Sequence, residues 1–382
     1  MTPERRRNIG RVPHRGRVTS GAADSGGGKG PSSITVTEVA ARAGVSRATA
    51  ARALGGYGST SSAARDRVLA AAAAIGYRPN LPARYTRNGS TNTVGVVVAD
   101  IASPFFGQST RATSDAAKAA GLEIMVLNTD EELDAERAAV HLLLDQRVAG
   151  IVVAAASRTD GAHLAQAQAE GVPVVLLDRR VRGLDADQVY ADNGGGAAVA
   201  MAELVGAGHR RIGYVSSAAG PQGHPQGAPL VVDDLVTSGG DRIRSYMSAL
   251  EGVGSDPSRH LVLCPFGEEA AYDATRGLLA RPDRPTALFA SDSVIALGVL
   301  RAVVDAGLRV PDDVAVVAGD EPAWARVTTP PLSTVCQPVP ELGRVALELL
   351  VQRFAEPDLP FREIVLPATF RSRASTAAGR ST

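Results

Sequence analysis

Six side chains, far apart along the chain, could together hold a small polar molecule: Phe106, Asp178, Arg242, Phe266, Ser291 and Asp320. Phe105 and Phe106 end the run Asp100-Ile101-Ala102-Ser103-Pro104-Phe105-Phe106, just beyond the β-branched stretch Val94–Val98. Asp178-Arg179-Arg180 follows Val172–Leu177, Phe266 follows Leu261–Cys264, Ser291-Asp292 follows Phe289, and Asp320 follows Val314–Val317. Arg242 opens a helical pattern that runs to Leu250. Aromatic faces beside carboxylate and guanidinium groups suit a sugar or a nucleoside, whose apolar face stacks and whose hydroxyls are bonded in pairs. Each residue also has a plainer reading. A phenylalanine near a strand end is more often core, Asp292 equally suits a helix cap, and Arg242 equally suits pairing with Asp241 or Glu251 on a solvated helix.

Catalytic chemistry is not in view. No Ser-His-Asp order, metal-ligand spacing or paired carboxylates occur, and His141, His163, His209, His224 and His260 are scattered as surface or cap residues would be. Asp192-Asn193-Gly194-Gly195-Gly196 lacks the Gly-Lys-Ser/Thr of a phosphate loop and reads as a helix start. The expectation is a protein that is not an enzyme and carries no metal and no cofactor.

A second chemistry lies in Thr35–Leu54, TVTEVAARAGVSRATAARAL. Val36, Val39, Ala40 and Ala43 make one face of a short helix; Gly44 suits the positive φ that ends it, Val45 plugs the corner, and Ser46 can cap the next helix. Arg47 to Leu54 forms that second helix, with Ala50, Ala53 and Leu54 inward. Arg47, Ala48 and Thr49 stand on its exposed start, and Arg52 follows about a turn later. A third pattern, Ala63 to Ile75, places Val68, Leu69, Ala72 and Ile75 on one face. Two helices, a tight glycine turn and basic residues at the second helix's start describe a helix-turn-helix that reads double-stranded DNA.

The elements that must position the first set come after Thr93. Short apolar runs at 94–98, 124–127, 150–154, 172–177, 212–215, 287–290 and 314–317 alternate with helical patterns at 109–120, 136–145, 195–207, 242–250 and 294–306. β-Branched runs separated by helices predict parallel sheets covered on both faces, an α/β body behind an all-α amino-terminal domain.

Net charge is zero over 382 residues, yet its distribution is not even. Residues 1–34 hold seven Arg or Lys against two acids, residues 35–91 hold eight Arg against two acids, and the rest carries a net −11. A basic front on an acidic body fits charge-steered DNA binding by one end and sensing by the other. Residues 1–33, rich in Arg, Gly, Ser and Pro, are expected to be a disordered basic extension. Cys264 and Cys336 are far apart and read as free thiols, compatible with a reducing cytosol. No apolar run is long enough to span a membrane, and the Arg-rich start lacks the apolar stretch of a secretion signal, so a cytoplasmic location is expected.

The blocks TVTEVAARAGVS, ARDRVLAAAAAIGYRPN and TNTVGVVVADIASPFF, in that order and spacing, closely resemble the LacI/GalR family of transcription regulators from about Thr35 to Phe370. The resemblance implies a two-lobed body like the type I periplasmic binding proteins. Its domains would be a helix-turn-helix domain at 34–91 with a hinge at about 80–91, then an effector-binding and dimerisation domain at 92–371. Lobe 1 would comprise about 92–190 and 336–354, lobe 2 about 191–335 and 355–371, and 372–382 would be a disordered tail. The chain would therefore cross between lobes near Tyr190–Asp192, near Val335–Pro338 and near Ala355. In such open α/β lobes, ligands bind beyond the carboxyl ends of the strands, here between the lobes.

The resemblance also assigns roles. DNA contacts would come from Thr35, Ser46, Arg47, Ala48, Thr49, Arg52, Asn80, Ala83, Arg84 and Thr86. Ala83 and Arg84 match the family's hinge, but Thr86 stands where a leucine usually enters the minor groove, a smaller and more polar wedge that should kink DNA less. Phe106 would stack on the effector, Arg242 would grip it, Phe266 would form an aromatic wall, and Asp320 would be the acid of a Gly-aromatic-Asp motif. The chain departs there, reading Ala318-Gly319-Asp320, and again between Ala218 and Asp241, where AAGPQGHPQGAPLVVDDLVTSGGD is longer than usual. Partners would be operator DNA, a sugar or nucleoside effector and a second copy of the chain. The end of the chain has no apolar heptad for a tetramerising coiled coil. The body alone would equally suit a transporter's solute-binding protein, against which the helix-turn-helix and the missing secretion signal count.

Overall fold

A computed structural model describes residues 35–55, 60–75, 91–218 and 230–376. The chain divides into two compact units, Met1–Asn80 and Leu81–Thr382. The expected basic extension and the hinge residues Asn80, Ala83, Arg84 and Thr86 lie outside the described residues.

The first unit holds α1 (Val36–Ala43), α2 (Arg47–Gly55) and α3 (Ser62–Ile75). Thr35 and Glu38 form a reciprocal capping box, in which Glu38 N–H donates to Thr35 Oγ1 at 3.4 Å and Thr35 N–H to Glu38 Oε2 at 2.6 Å. Gly44 ends α1 at φ 65°, a left-handed conformation that costs glycine least. Ser46 then caps α2, accepting from Thr49 N–H at 3.1 Å. The core of this unit joins Val39, Ala40, Ala43, Ala50, Ala53, Val68, Ala71 and Ala72. Leu69 is a correction: its periodicity places it on the inner face of α3, but it is 46% exposed. Ala71 and Ala72 turn inward beside Val68 instead, because the small side chains of α1 and α2 let α3 approach on an alanine face.

The second unit is built from two six-stranded sheets. The first contains β1 (Thr93–Val98), β2 (Glu123–Asn128), β3 (Gly150–Val153), β4 (Val174–Leu177), β5 (Asp187–Ala191) and β11 (Glu363–Leu366), in the order β11-β5-β4-β3-β1-β2, every pair parallel. The second contains β6 (Ile212–Ser216), β7 (Leu261–Leu263), β8 (Ala287–Ala290), β9 (Ala315–Ala318), β10 (Ser333–Cys336) and β12 (Thr369–Arg371), in the order β12-β10-β9-β8-β6-β7, parallel except for β12.

Alternate residues of each strand serve opposite faces. Val94, Val96 and Val98 pack with α4 (Pro104–Ala119) and α11 (Val339–Ala355), while Val97, Ile151 and Val153 pack with α5 (Leu133–Asp145) and α6 (Ala162–Ala169). In the second sheet, Leu288, Ala290, Val316 and Ala318 face α9 (Glu268–Leu279) and α10 (Ser293–Asp305). Ala287, Phe289, Ala315 and Val317 face α7 (Asn193–Gly206) and α8 (Thr237–Glu251). Strands buried on both sides explain why the sequence reads as continuous apolar runs.

The third crossover differs from expectation. Instead of entering lobe 2 after Ala355, the chain returns to the first sheet as β11, with Ile364 opposite Val189, and crosses only between Leu366 and Thr369. The cause is a buried charge cluster. Asp187, 1% exposed, accepts from Arg353 Nη2 at 2.7 Å and Nε at 3.0 Å, and from Arg362 Nε and N–H, each at 3.0 Å. Arg353 also donates to the carbonyls of Pro357 and Pro360, so the turn after α11 folds back onto β5.

The tail is a second correction. The segment from 372, expected to be disordered, is ordered through Thr376, because Ser375 is buried, donates to the Val316 carbonyl at 2.6 Å and accepts from Ser333 N–H at 2.7 Å. Among the described residues no helix is long and apolar enough to cross a membrane.

Candidate effector site and DNA-reading face

Beyond the carboxyl ends of both sheets lies a cavity of about 280 Å³. Phe106, Asp178, Arg242, Phe266, Ser291 and Asp320, the six residues singled out from the sequence, all line it. Lobe 1 contributes the loops after β1, β2 and β4 and the start of α4; lobe 2 contributes those after β6 to β9 and the start of α8.

Asp178 closes β4 at φ 65°, and Asp130 and Glu131 stand at φ 51° and 66° after β2. Three of the four described non-glycine residues with positive φ thus border the cavity, and such conformations persist only where surrounding contacts hold them. Phe106 sits in the first turn of α4, 6% exposed, edge-on to Phe105 with centroids 5.1 Å apart. Its ring belongs to the lobe-1 core and also faces the cavity. The Arg179 guanidinium lies 5.5 Å from that ring and is held by Glu131 through two bonds of 2.6 Å.

Arg242 does not open its helix. α8 starts at Thr237, and Arg242 lies in its second turn, half-buried. The solvated pairing fails: Asp241 instead bonds Arg180 and Arg244, while Arg242 points inward. Its Nη2 donates to Asn193 Oδ1 at 2.6 Å and Nη1 to the Ser291 carbonyl at 3.2 Å, leaving buried Nε without a partner among the described residues. Asp292 caps α10 by accepting from Val294 and Ile295 N–H groups at 2.9 and 3.0 Å, so its cap reading is correct, yet it also lines the cavity.

Burial pushes the carboxyls of Asp178 and Asp292 above the ordinary range, opposed at Asp178 chiefly by Arg179 and Arg242 and at Asp292 chiefly by hydrogen bonds from Ile295 and Ser291 and then by Arg242. Burial, reinforced by the charge of Asp292, pushes Asp320 up to about 7, against the pull of Arg242 and hydrogen bonds from Ser293. One oxygen each of Asp178 and Asp320 is buried without a partner among the described residues. The cavity therefore presents two acceptors and one guanidinium donor, a pattern that a ligand bearing several hydroxyls can satisfy.

Because the folded pKa of Asp320 is raised, its contribution to stability is present at low pH and is lost as pH rises through about 7. Asp320→Asn is expected to raise the ligand-free melting temperature at pH 8 by more than at pH 5. Equal shifts at both pH values, in thermal unfolding followed by circular dichroism, would show that Asp320 is not held protonated.

Sequence reasoning missed Asn193, Ser216, Ser238 and Gln337. Asn193 was hidden in a glycine-rich run, and nothing in the local sequence marks the others as facing the cavity. The departure at Gly319 has a steric account: a Cβ there would lie 2.1 Å from the Ser291 carbonyl oxygen, so this backbone cannot carry the usual aromatic without moving.

In the first unit, Ser46, Arg47, Ala48 and Arg52 are exposed on or beside α2, and Thr49 is partly buried. The hydroxyls of Thr35 and Ser46 serve as helix caps.

Residues 35–80 match the model of bacterial regulatory proteins of the lacI family, and residues 201–376 match a periplasmic binding protein-like domain. The chain is 32% identical over 320 residues to the HTH-type transcriptional regulator GalS of Salmonella typhimurium, covering 84% of this chain and 89% of the relative. The chain belongs to the LacI/GalR family of transcriptional regulators. Catabolite control protein A of Priestia megaterium is 29% identical over 346 residues, 90% of this chain and 99% of that one. The ribose operon repressor of Haemophilus influenzae is 28% identical over 343 residues, 89% and 98% of the two chains. A transcriptional regulator CelR–cellobiose complex has a TM-score of 0.64 at 29% identity, covering 90% of this chain and 99% of that one. The lac repressor dimer bound to operator and the anti-inducer ONPF shares the fold, with a TM-score of 0.76 at 24% identity and coverage of 90% and 99%. As a LacI/GalR-family member the chain is a ligand-responsive, DNA-binding regulator, and the solute-transport reading falls with the helix-turn-helix match. These relatives are transcriptional regulators rather than enzymes.

Proposed function

We propose that this LacI/GalR-family regulator is a cytoplasmic repressor that binds a near-palindromic operator as a homodimer and responds to a sugar or nucleoside held between its lobes. The observation that carries the ligand reading is the convergence of Phe106, Asp178, Arg242, Phe266, Ser291 and Asp320 on one cavity, with buried Arg242 Nε and one oxygen each of Asp178 and Asp320 left for a ligand to bond. Relatives whose names or titles carry ribose or cellobiose support a saccharide. Two recognition helices would enter successive major grooves one helical turn, or a multiple of it, apart. To swing the protein from 1:99 to 99:1 between DNA-competent states, the ligand must favour one state by about 5.5 kcal/mol.

The test is a mobility-shift assay on the promoter beside the protein's own gene, with a panel of sugars and nucleosides added singly. A shift that one compound abolishes or strengthens supports the reading and gives the sign of the response. A protein that binds no promoter fragment and no member of the panel would overturn it.

On DNA, Arg47 and Arg52 are proposed to contact the groove, with Ala48 close against a base edge. Arg47→Ala should cost about 1–3 kcal/mol and relax preference at one base pair, if the contact is bidentate to guanine. Equal weakening on operator and on random DNA would make Arg47 a phosphate contact instead.

A further inference from the structure

Residues 230–241 run from the lobe-2 core to contacts with lobe 1. Leu235 is buried, and Leu230, Val232 and Val236 pack against the same cluster as Tyr214 and Tyr246, so the segment is rooted in lobe 2. Its other side meets lobe 1 through charges. Arg180, just past β4, donates to Asp241 Oδ2 at 2.5 Å, and its backbone N–H donates to Thr237 Oγ1 at 2.9 Å. Arg158, beyond β3, lies 3.5 Å from Asp233 as an ion pair. Arg244 of α8 bonds both Asp233 and Asp241, tying the two acids into one network. Arg180 is also set over the Tyr190 ring, 4.6 Å from its centroid, which limits its freedom to swing away.

Between these anchors the same segment forms part of the cavity wall: Val236, Ser238 and Gly239 line it together with Asp178 of lobe 1. We infer that residues 230–241 are a charge-latched strap over the effector cavity, and that Arg158 and Arg180 of lobe 1, holding Asp233 and Asp241 of lobe 2, set whether the lobes stay closed. Single exposed ion pairs contribute little, but here Arg158, Arg180 and Asp241 are partly buried while Asp233 is exposed, Arg244 couples the two acids within lobe 2, and the Arg158–Asp233 and Arg180–Asp241 pairs each join one lobe to the other. This inference rests on the geometry of the cleft and not on the identity of the effector.

The experiment needs no ligand. Spin labels at exposed positions, one per lobe (Glu170→Cys and Glu251→Cys in a Cys336→Ser background), report the distance between lobes in the full-length protein. With the latch intact, one short distance is expected at low salt, lengthening as ionic strength screens the pairs. Arg158→Gln with Arg180→Gln should shift the distribution to longer distances at low salt, whereas Arg158→Lys with Arg180→Lys should keep it short. If the Gln pair folds poorly, Asp233→Asn with Asp241→Asn breaks the same latch from the other side. Neutralised variants with the parent's distance distribution would overturn the inference. Because the readout is ligand-free, a failed effector screen would leave this result standing on its own.

Discussion

Arg242→Ala is expected to abolish the response to effector while leaving operator binding nearly intact. The guanidinium is already oriented by Asn193 and the Ser291 carbonyl, and its buried Nε has no partner among the described residues. It also supplies positive charge to Asp178, Asp292 and Asp320. Removing it deletes a charge-assisted ligand bond, typically worth about 1.5–3 kcal/mol or roughly ten- to a hundredfold in affinity. It also leaves three buried acids with less counter-charge, so they hold protons to still higher pH and accept hydroxyl donors less well. The expected loss therefore lies toward the upper end of that range. The helix-turn-helix belongs to a separate compact unit, so operator affinity should hardly change. Calorimetric titration with the compound found in the promoter assay decides the matter: parental affinity in the variant would remove Arg242 from the site.

Asp187→Ala is expected to destabilise the effector-binding unit by about 3–5 kcal/mol, the cost of breaking a buried ion pair from one side. Asp187 is 1% exposed and receives Arg353, whose side chain is 7% exposed, together with Arg362. Without the carboxylate, Arg353 stays buried between Phe361, 4.8 Å from its guanidinium carbon, and the carbonyls of the returning turn. The loss should appear as a lower denaturant midpoint for the large unit in urea unfolding. Detachment of β11 should further appear as faster amide exchange at Ile364 and Leu366, which flank Tyr190 in the register. An unfolding free energy within about 1 kcal/mol of the parent's would show that Asp187 does not hold β11 to its sheet.

The two residues differ in how far the sequence reveals them. Arg242 is legible because a guanidinium in a helical pattern matches the family's gripping residue. Asp187 is not, because an acid at a strand start looks the same whether it faces water or two arginines more than 160 residues away. The contributions of Ser216, Ser238 and Gln337 to the cavity, and of Asn193 as a partner of Arg242, are hidden for the same reason: a site gathers residues by direction, and local sequence carries no direction across a cleft.

What the sequence by itself determined is whatever depends on short-range pattern. The glycine turn between α1 and α2, the Thr35 and Ser46 caps, the alternation of β-branched strands with helices, and the residues beyond strand ends all follow from propensity and periodicity within a few residues. Only the tertiary structure decided the rest. It turned Leu69 out and Ala71 in, because the neighbouring alanines leave room for close helix packing. It returned β11 to lobe 1 before the last crossover, because Asp187 binds Arg353 and Arg362. It kept Ser375 and Thr376 ordered, because their hydroxyls fill hydrogen-bonding positions beside Val316 and Ser333. It also gave Arg242 to Asn193 and the Ser291 carbonyl, and Asp241 to Arg180 and Arg244, so the alternative pairing of Arg242 with Asp241 does not form. Each of these outcomes depends on a partner distant in the chain, whose position is fixed only once the sheets have formed.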